Sequence, residues 1–256
     1  MDFHPHSGRI LLVGAGPGAA DLLTLRAVRA LAAADVVVHD GLVGDEVMAL
    51  IPAHARRISV AKRRARHTLA QDAIGDLLVA EARAGHTVVR LKGGDPFIFG
   101  RGGEEVDAAL GAGIPVDVIP GISAANGAAA STLMPLTHRD HASMVSFVAG
   151  ECRGLAEQNW AGLAGKGRTL VIYMGLAGAA PIAEKLMADG LAPDTPVAVI
   201  ERATQANERL VTSLLADLAG LVAREAIASP ALIIVGDVAA LPAARAKAKE
   251  TACLVC

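Results

Sequence analysis

The chain has 256 residues, of which 53% are hydrophobic and 20% charged, so the composition predicts a folded protein of one large or two modest α/β domains. A net charge of −2 excludes a global positive field that would draw nucleic acid or an anionic membrane. No apolar run reaches the roughly 18 residues of a membrane span, and the first residues lack the pattern of a signal peptide. Three cysteines provide no disulfide framework, which favours a cytoplasmic protein.

Short apolar runs alternate with helical patterns through the first half of the chain, as a mostly parallel sheet requires. The predicted strands are residues 9–13, 35–39, 57–60, 87–91 and 116–119. The predicted helices between them are residues 21–33, 47–51, 71–84 and 104–112. We therefore expect a first α/β domain over residues 8–125, with a five-stranded sheet and glycine-rich loops after its strands.

The second half also alternates, but its rhythm is less regular, which predicts a mixed sheet. Its predicted strands are residues 143–149, 169–174, 197–200, 208–212 and 231–235, and its predicted helices are residues 179–189 and 214–224. Small residues followed by Pro135 indicate the junction between two domains. We expect a second α/β domain over residues 126–241 and a helical or disordered tail over residues 242–256.

Residues 88–105 form the most informative segment, which runs from an apolar strand through a loop with five glycines into a helix. Glycines let the backbone approach a ligand, Asp95 can accept hydrogen bonds from hydroxyls or an amine, and Arg101 can grip a carboxylate or phosphate. Open α/β sheets bind ligands at this end of their strands. A tight strand–helix connection, with Glu104 and Glu105 favouring the helix N-terminus, is the alternative. It does not explain Asp95 together with Arg101.

The turn after the first strand, residues 14–19, satisfies the dinucleotide-binding pattern G-x-G-x-x-G/A. Asp40 ends the next strand, where a ribose-binding acid would lie. The pattern alone is weak, and a plain strand–helix turn is its alternative; the surroundings favour a nucleotide-like ligand. His138-x-x-His141 has a metal-like spacing without a third ligand, and Cys253-x-x-Cys256 has no second pair, so no metal site is predicted.

Seven segments, in their order and spacing, resemble the uroporphyrinogen-III C-methyltransferases, which use S-adenosylmethionine in the cobalamin and sirohaem branch of tetrapyrrole synthesis. The segments are residues 13–18, 34–40, 88–105, 120–124, 135–140, 171–175 and 199–202. The resemblance extends from Ile10 to about Leu241. It implies two α/β domains with an active-site cleft between them, a homodimer, and methylation of uroporphyrinogen III at C2 and C7 to give precorrin-2 via precorrin-1.

The family's residue roles carry over where the motifs match. Asp40 and Lys62 match a proton acceptor and a proton donor, and Arg101, Glu104 and Arg139 match positions that hold or deprotonate the tetrapyrrole. Arginine stays protonated in proteins, so we interpret Arg101 as a carboxylate clamp and Asp40 or Glu104 as the base. The positions that match contacts to S-adenosyl-L-methionine, which leaves as S-adenosyl-L-homocysteine, are Pro17, Gly93, Gly94, Asp95, Ile98, Ser123, Ala124, Met174, Ala203 and Ala231.

The chain departs from the family pattern at His39-Asp40-Gly41, where members often have Tyr-Asp-Arg, so one possible anchor for a substrate carboxylate is missing. The basic run 62–66 offers a replacement. Three alternatives stay open: a later precorrin C-methyltransferase of the same fold, a nicotinamide-dependent oxidoreductase, and a tetrapyrrole-binding protein without activity. The oxidoreductase leaves residues 88–105 unexplained, and a simple binding protein needs no cofactor loop. We expect any dehydrogenase or chelatase step to belong to other proteins.

Overall fold

The computed structural model describes residues 8–61, 71–150 and 160–242. The chain divides into two compact units, Met1–Ala124 and Ala125–Cys256. The predicted domain boundary, between residues 125 and 126, lies one residue further along. Residues 243–256 of the predicted tail and the basic run 62–66 lie outside the described residues, so the predictions made for them stay predictions. Among the helices that are described, none has the length and apolarity to cross a membrane.

The first unit is built on a five-stranded parallel sheet. Its strands are β1 (Arg9–Gly14), β2 (Val36–His39), β3 (Arg56–Ser59), β4 (Thr87–Lys92) and β5 (Val116–Ile119). They lie in the order β3-β2-β4-β1-β5, and every pairing between neighbours is parallel. The predicted parallel sheet of five strands is confirmed.

Helices cover both faces of this sheet, as parallel sheets require. They are α1 (Leu25–Ala32), α2 (Asp45–Ala49), α3 (Gln71–Arg83) and α4 (Gly102–Gly111). Alternate residues of β1 supply two separate cores because successive side chains of a strand point to opposite faces. Leu11 and Val13 pack with residues of α1 and α2, whereas Ile10 and Leu12 pack with residues of α3 and α4.

Strands β1 and β4 lie side by side, but the chain leaves them in opposite directions. From β1 it crosses to β2, and from β4 it crosses to β5 on the other side. Open α/β sheets bind ligands at such a switch point, beyond the carboxyl ends of the strands. Both glycine-rich segments recognised in the sequence, residues 14–19 and 93–103, begin at this point.

The second unit carries a mixed sheet, as predicted. Its strands are β6 (Ala142–Ala149), β7 (Gly167–Tyr173), β8 (Pro196–Glu201), β9 (Arg209–Leu214) and β10 (Ala231–Val235). They lie in the order β6-β7-β10-β8-β9, with β6 parallel to β7 and the other pairings antiparallel. The helices are α5 (Ala124–Ser131), α6 (Ala179–Ala188) and α7 (Leu218–Arg224). Trp160, Leu170 and Leu186 are among its buried core residues.

Three helices differ from the sequence prediction. The helix predicted over residues 21–33 is broken: a 3₁₀ turn, Ala20–Leu22, precedes Thr24, which caps α1 with its hydroxyl. The helix predicted over residues 214–224 opens with a 3₁₀ turn, so that α7 begins only at Leu218. Helix α5 was missed because its run of alanine, glycine and serine has no strong apolar period.

Replacing Thr24 with Ala should lower the free energy of unfolding by about 1 kcal/mol, because the Thr24 hydroxyl accepts the N–H of Ala27 at 3.1 Å and this donor would lose its partner. Thr24→Ser is the matched control, since it keeps the oxygen and should retain most of the stability. Urea denaturation followed by circular dichroism measures both variants. Equal destabilisation by the two would show that the methyl group, and not the cap, matters.

Candidate active site

Three backbone turns meet at the carboxyl ends of β1, β4 and β5. Gly16 donates its N–H to the carbonyl of Gly94 at 3.1 Å, and Gly94 donates back to the carbonyl of Gly16 at 2.7 Å. A Cβ atom placed on Gly121 would lie 2.3 Å from the Gly94 oxygen and 2.8 Å from Cα of Gly14. Real Cβ atoms do not approach other atoms so closely, so Gly14 and Gly121 need glycine for packing between the turns, whereas Gly16 and Gly94 need it for their φ angles of 74° and 67°. We call Gly14, Gly16, Gly94 and Gly121 the glycine cradle.

Asp95 ties two of these turns together. One carboxylate oxygen accepts the N–H of Phe97 at 2.8 Å, and the other accepts the N–H of Gly121 at 3.0 Å. The sequence interpretation assigned Asp95 to a ligand, whereas the structure gives it a role within the protein as well. Each oxygen keeps a further lone pair, so the carboxylate can still accept a hydrogen bond from a ligand hydroxyl or amine.

The predicted cofactor positions of the first unit gather at this edge of its sheet. Gly93 lies so close to Leu42 that a Cβ would be 2.7 Å from the Leu42 Cβ, and a Cβ on Gly94 would be 3.7 Å from the nitrogen of Ala124. The positions concerned are Pro17, Gly93, Gly94, Asp95, Ile98, Ser123 and Ala124. All of them lie in the loops that follow β1, β4 and β5, except Ala124, which is the first residue of α5.

The predicted cofactor positions of the second unit also share one sheet edge. Met174 follows β7, Ala203 follows β8, and Ala231 begins β10, which runs antiparallel to both. Met174, Arg202 and Thr204 have positive φ angles of 54°, 48° and 66°. Such angles cost energy in residues other than glycine and cluster at functional sites. These positive φ angles at the edge of the second sheet were not predicted from the sequence.

Arg139 lies elsewhere in the second unit. It is exposed in a turn that two backbone hydrogen bonds between His138 and Ala142 close, at 2.8 and 2.9 Å. Ala142 pairs with Gly167 at the start of β7, whereas Met174 follows the end of β7. Arg139 thus lies near the opposite end of that strand, and the structure does not bring it together with the predicted cofactor positions of its own unit.

Arg101 and Glu104 form an exposed pair at the start of α4. The guanidinium of Arg101 donates to both carboxylate oxygens of Glu104, at 2.8 and 2.7 Å. These hydrogen bonds hold the pKa of the Glu104 carboxyl below its ordinary value and raise the pKa of Arg101. A lowered pKa makes Glu104 a weaker base, and a substrate carboxylate that binds Arg101 must first displace Glu104.

Asp40 follows β2, which is the neighbour of β4 in the sheet. Its side chain is 26% exposed, and one oxygen accepts the N–H of Leu42 at 2.9 Å. Asp40 is therefore accessible and held in a defined turn, and unlike Glu104 it is not engaged by Arg101. The proposed proton donor, Lys62, lies outside the described residues.

The sequence interpretation missed a buried charged cluster behind Asp40, formed by Arg90, Lys92 and Glu105. Glu105 accepts from Nε of Arg90 and forms an ion pair with Nζ of Lys92, each at 2.9 Å. Burial is the main cause that lowers the pKa of Lys92, and Arg90 adds to it. One signal was available, since Arg90 and Lys92 alternate with apolar residues in β4 and must face the same side of the sheet. Buried charges need partners of opposite charge, and Glu104 and Glu105 were the nearby candidates along the chain.

The described residues include no group of three or more His, Cys, Asp or Glu that could hold a metal ion. Among the described residues, positive charge in this region comes from Arg90 and Lys92 within the sheet and from Arg101 at the surface. Of these three, only Arg101 is exposed enough to meet an anionic ligand directly.

Residues 9–219 match the family model of the tetrapyrrole (corrin/porphyrin) methylases. The chain belongs to this family. It is 50% identical over 234 residues to the sirohaem synthase of Edwardsiella ictaluri and 53% identical over 235 residues to sirohaem synthase 3 of Aeromonas hydrophila. Both alignments cover 91% of this chain but 50% of the relative, so the chain spans about half the length of these curated relatives.

Solved structures agree with the family. A uroporphyrin-III C-methyltransferase from Thermus thermophilus, complexed with S-adenosyl homocysteine, is 40% identical with a TM-score of 0.79, and the match covers 91% of this chain and 100% of that one. A cobalt precorrin-4 methyltransferase is 25% identical with a TM-score of 0.80, over 90% of this chain and 95% of that one. The predicted family and the two α/β domains are confirmed. The bound S-adenosyl homocysteine supports the predicted S-adenosylmethionine cofactor.

Replacing Gly121 with Ala should lower the free energy of unfolding by about 1–3 kcal/mol, because the new methyl group meets backbone atoms of Gly94 and Gly14 that cannot move independently. Gly111→Ala is the matched control: no atom lies within 4 Å of the place its methyl group would take, and alanine is the better helix former. Thermal and urea denaturation compare the two. Unfolding of Gly121→Ala at the wild-type midpoint would contradict the close packing of the turns.

Proposed function

We propose that the protein is an S-adenosylmethionine-dependent C-methyltransferase that methylates uroporphyrinogen III at C2 and C7, giving precorrin-2 via precorrin-1. The observation that carries this proposal is the glycine cradle at the switch point, with Asp40 and Arg101 in loops at the same edge of the sheet. Family membership supports methyl transfer to a tetrapyrrole. The identity of 40% to a uroporphyrin-III C-methyltransferase supports this particular substrate.

The glycine cradle supports a nucleoside-like cofactor because it brings three backbone turns together at the carboxyl ends of the strands, where open α/β sheets bind ligands. In this proposal, Pro17, Gly93 and Gly94 contact the cofactor through the backbone, and Asp95 accepts from its hydroxyls or amine. Ile98, Ser123 and Ala124 are further proposed contacts, and Met174, Ala203 and Ala231, which share one edge of the second sheet, are the proposed contacts of the second unit. When bound, S-adenosylmethionine supplies an electrophilic sulfonium methyl group, so the protein mainly has to align a nucleophilic carbon with it.

The tetrapyrrole supplies that nucleophile, because the pyrrole carbons of a porphyrinogen are electron-rich. After a carbon attacks, a proton must leave the ring system to restore neutral bonding, and Asp40 is the proposed acceptor. Its accessible carboxylate supports this role, whereas the Arg101 hydrogen bonds that lower the pKa of Glu104 speak against Glu104. Lys62 remains the proposed proton donor.

The carboxylates of the tetrapyrrole require cations. Arg101 is the proposed clamp, because its planar guanidinium already binds one carboxylate through two hydrogen bonds and can exchange it for another. Arg139 and the basic run 62–66 are further proposed contacts. We also propose a homodimer, as the family resemblance implies.

A direct assay tests the proposal. The protein is incubated anaerobically with uroporphyrinogen III and methyl-labelled S-adenosylmethionine, and the products are separated by mass. We expect a product with two added methyl groups, preceded by a singly methylated intermediate. Methylation of a later precorrin but not of uroporphyrinogen III would assign the chain to another branch of the family. Hydride transfer from a nicotinamide would instead support the oxidoreductase alternative.

Arg101→Ala should reduce turnover by about 10- to 100-fold, because hydrogen bonds to charged groups contribute roughly 1.5–3 kcal/mol. The affinity for S-adenosyl homocysteine, measured by calorimetry, should stay close to the wild-type value. Arg26→Ala is the matched control, since Arg26 is an exposed arginine of α1 outside these loops. An equal loss of cofactor affinity in Arg101→Ala would contradict the role of a substrate clamp.

A further inference from the structure

The charged cluster of Arg90, Lys92 and Glu105 is almost completely buried. The exposed fractions of the three side chains are 4%, 4% and 0%. They lie on the face of the first sheet that α3 and α4 cover, where the neighbouring buried residues are apolar. Removing charges from water is costly, and apolar residues of similar volume often stabilise a core equally well. Core stability therefore does not explain the cluster.

The guanidinium of Arg90 lies between the buried Glu105 and Asp40 at the strand ends. Nε of Arg90 donates to Glu105 at 2.9 Å, and Nη1 donates to the carbonyl oxygens of Leu91 at 3.1 Å and Val38 at 3.4 Å. Nη2 lies 3.9 Å from Oδ2 of Asp40. The guanidinium is thus fixed on two sides by buried groups, and its remaining nitrogen faces the carboxylate that reaches solvent.

Lys92 and Gln71 complete the arrangement around Glu105. Lys92 neutralises the second oxygen of Glu105 at 2.9 Å, and the side-chain amide of Gln71 donates to the first oxygen at 3.4 Å. Glu105 is therefore held by groups from β4 and from the start of α3. A buried carboxylate with partners at both oxygens is a suitable anchor for Arg90, since a positioning residue must itself be held by its neighbours.

We propose that Arg90 is a positioning residue: anchored by Glu105, it holds the carboxylate of Asp40 in one orientation at the strand ends. The inference rests on the proposed function, because it takes Asp40 as the proton acceptor. Asp40 then has a partner at each oxygen, since Oδ1 accepts the N–H of Leu42 at 2.9 Å while Oδ2 lies within ion-pair distance of Arg90, at 3.9 Å. Arginine suits this role because its planar guanidinium donates to Glu105 and to two carbonyls while a further nitrogen faces Asp40. A single ammonium group cannot reach all of these groups.

A double-mutant cycle tests this inference with Arg90→Lys, Asp40→Asn and the combined variant. Arg90→Lys keeps the buried charge and the ion pair with Glu105 but loses the nitrogen that faces Asp40. With Asp40 present, it should lower kcat about tenfold and leave KM for S-adenosylmethionine unchanged, because misplacing a catalytic group costs rate and not cofactor binding. In the Asp40→Asn background, the same change should cost less than about twofold, because the group that Arg90 positions is already absent.

Arg57→Lys is the matched control. Arg57 is an arginine of β3 in the same sheet whose guanidinium bonds the carbonyl of Ile51 at 2.8 Å. Its loss of turnover, if any, should be the same in both backgrounds. A second readout needs no turnover: amide exchange followed by NMR should become faster at Leu42 in Arg90→Lys, because the acceptor oxygen of Asp40 is no longer held.

The outcomes separate the inference from the proposed function. Equal loss of kcat by Arg90→Lys in both backgrounds would overturn the positioning role and leave Asp40 as the base. Full turnover by Asp40→Asn alone would overturn the assignment of Asp40 itself. If Arg90→Lys does not fold, the charge-balanced double change Lys92→Gln with Glu105→Gln releases Arg90 from its anchor and should show the same dependence on Asp40. Unchanged kcat in that variant would also overturn the inference.

Discussion

The candidate site depends on the close approach of three backbone turns at the switch point of the first sheet. Gly14, Gly94 and Gly121 come so near to one another that a methyl group on Gly121 would overlap backbone atoms of the other two. Asp95 holds this approach with one hydrogen bond along its own loop and one across to Gly121. The loop that carries Arg101 and the first turn of α4 starts from this fixed point, so the position of Arg101, the proposed substrate clamp, depends on it.

Glu104 and Glu105 are adjacent in the sequence but differ in burial, and this difference separates their roles. Glu104 faces solvent, where Arg101 engages it through hydrogen bonds that a ligand carboxylate can replace. Glu105 is fully buried, where desolvation makes any loss of its partners costly, so its ion pairs with Arg90 and Lys92 act as a permanent anchor. The exposed ion pair of Glu104 and the buried ion pairs of Glu105 therefore lie within one turn of α4, the first at the surface of the candidate site and the second in the core beneath it.

Tertiary contacts also add to what the motifs indicate about several positions. Asp95, expected to serve a ligand, accepts a hydrogen bond from the protein at each oxygen, because Phe97 and Gly121 have backbone donors that need acceptors. The strained residues Met174, Arg202 and Thr204 share one edge of the second sheet, although they follow different strands. Arg139 lies near the other end of β7, which the order of motifs along the chain could not reveal.

From the sequence we could predict the alternation of strands and helices, the parallel first sheet and mixed second sheet, the two glycine-rich turns and the family. These follow from local patterns: apolar periodicity, glycine spacing and the order of motifs. Long-range contacts, in contrast, establish which groups Asp95 bonds and which glutamate is buried. Asp95 meets Gly121 across 26 positions, and Arg90 meets Glu105 across 15. Such partners are chosen by strand order and helix placement, which no local pattern contains.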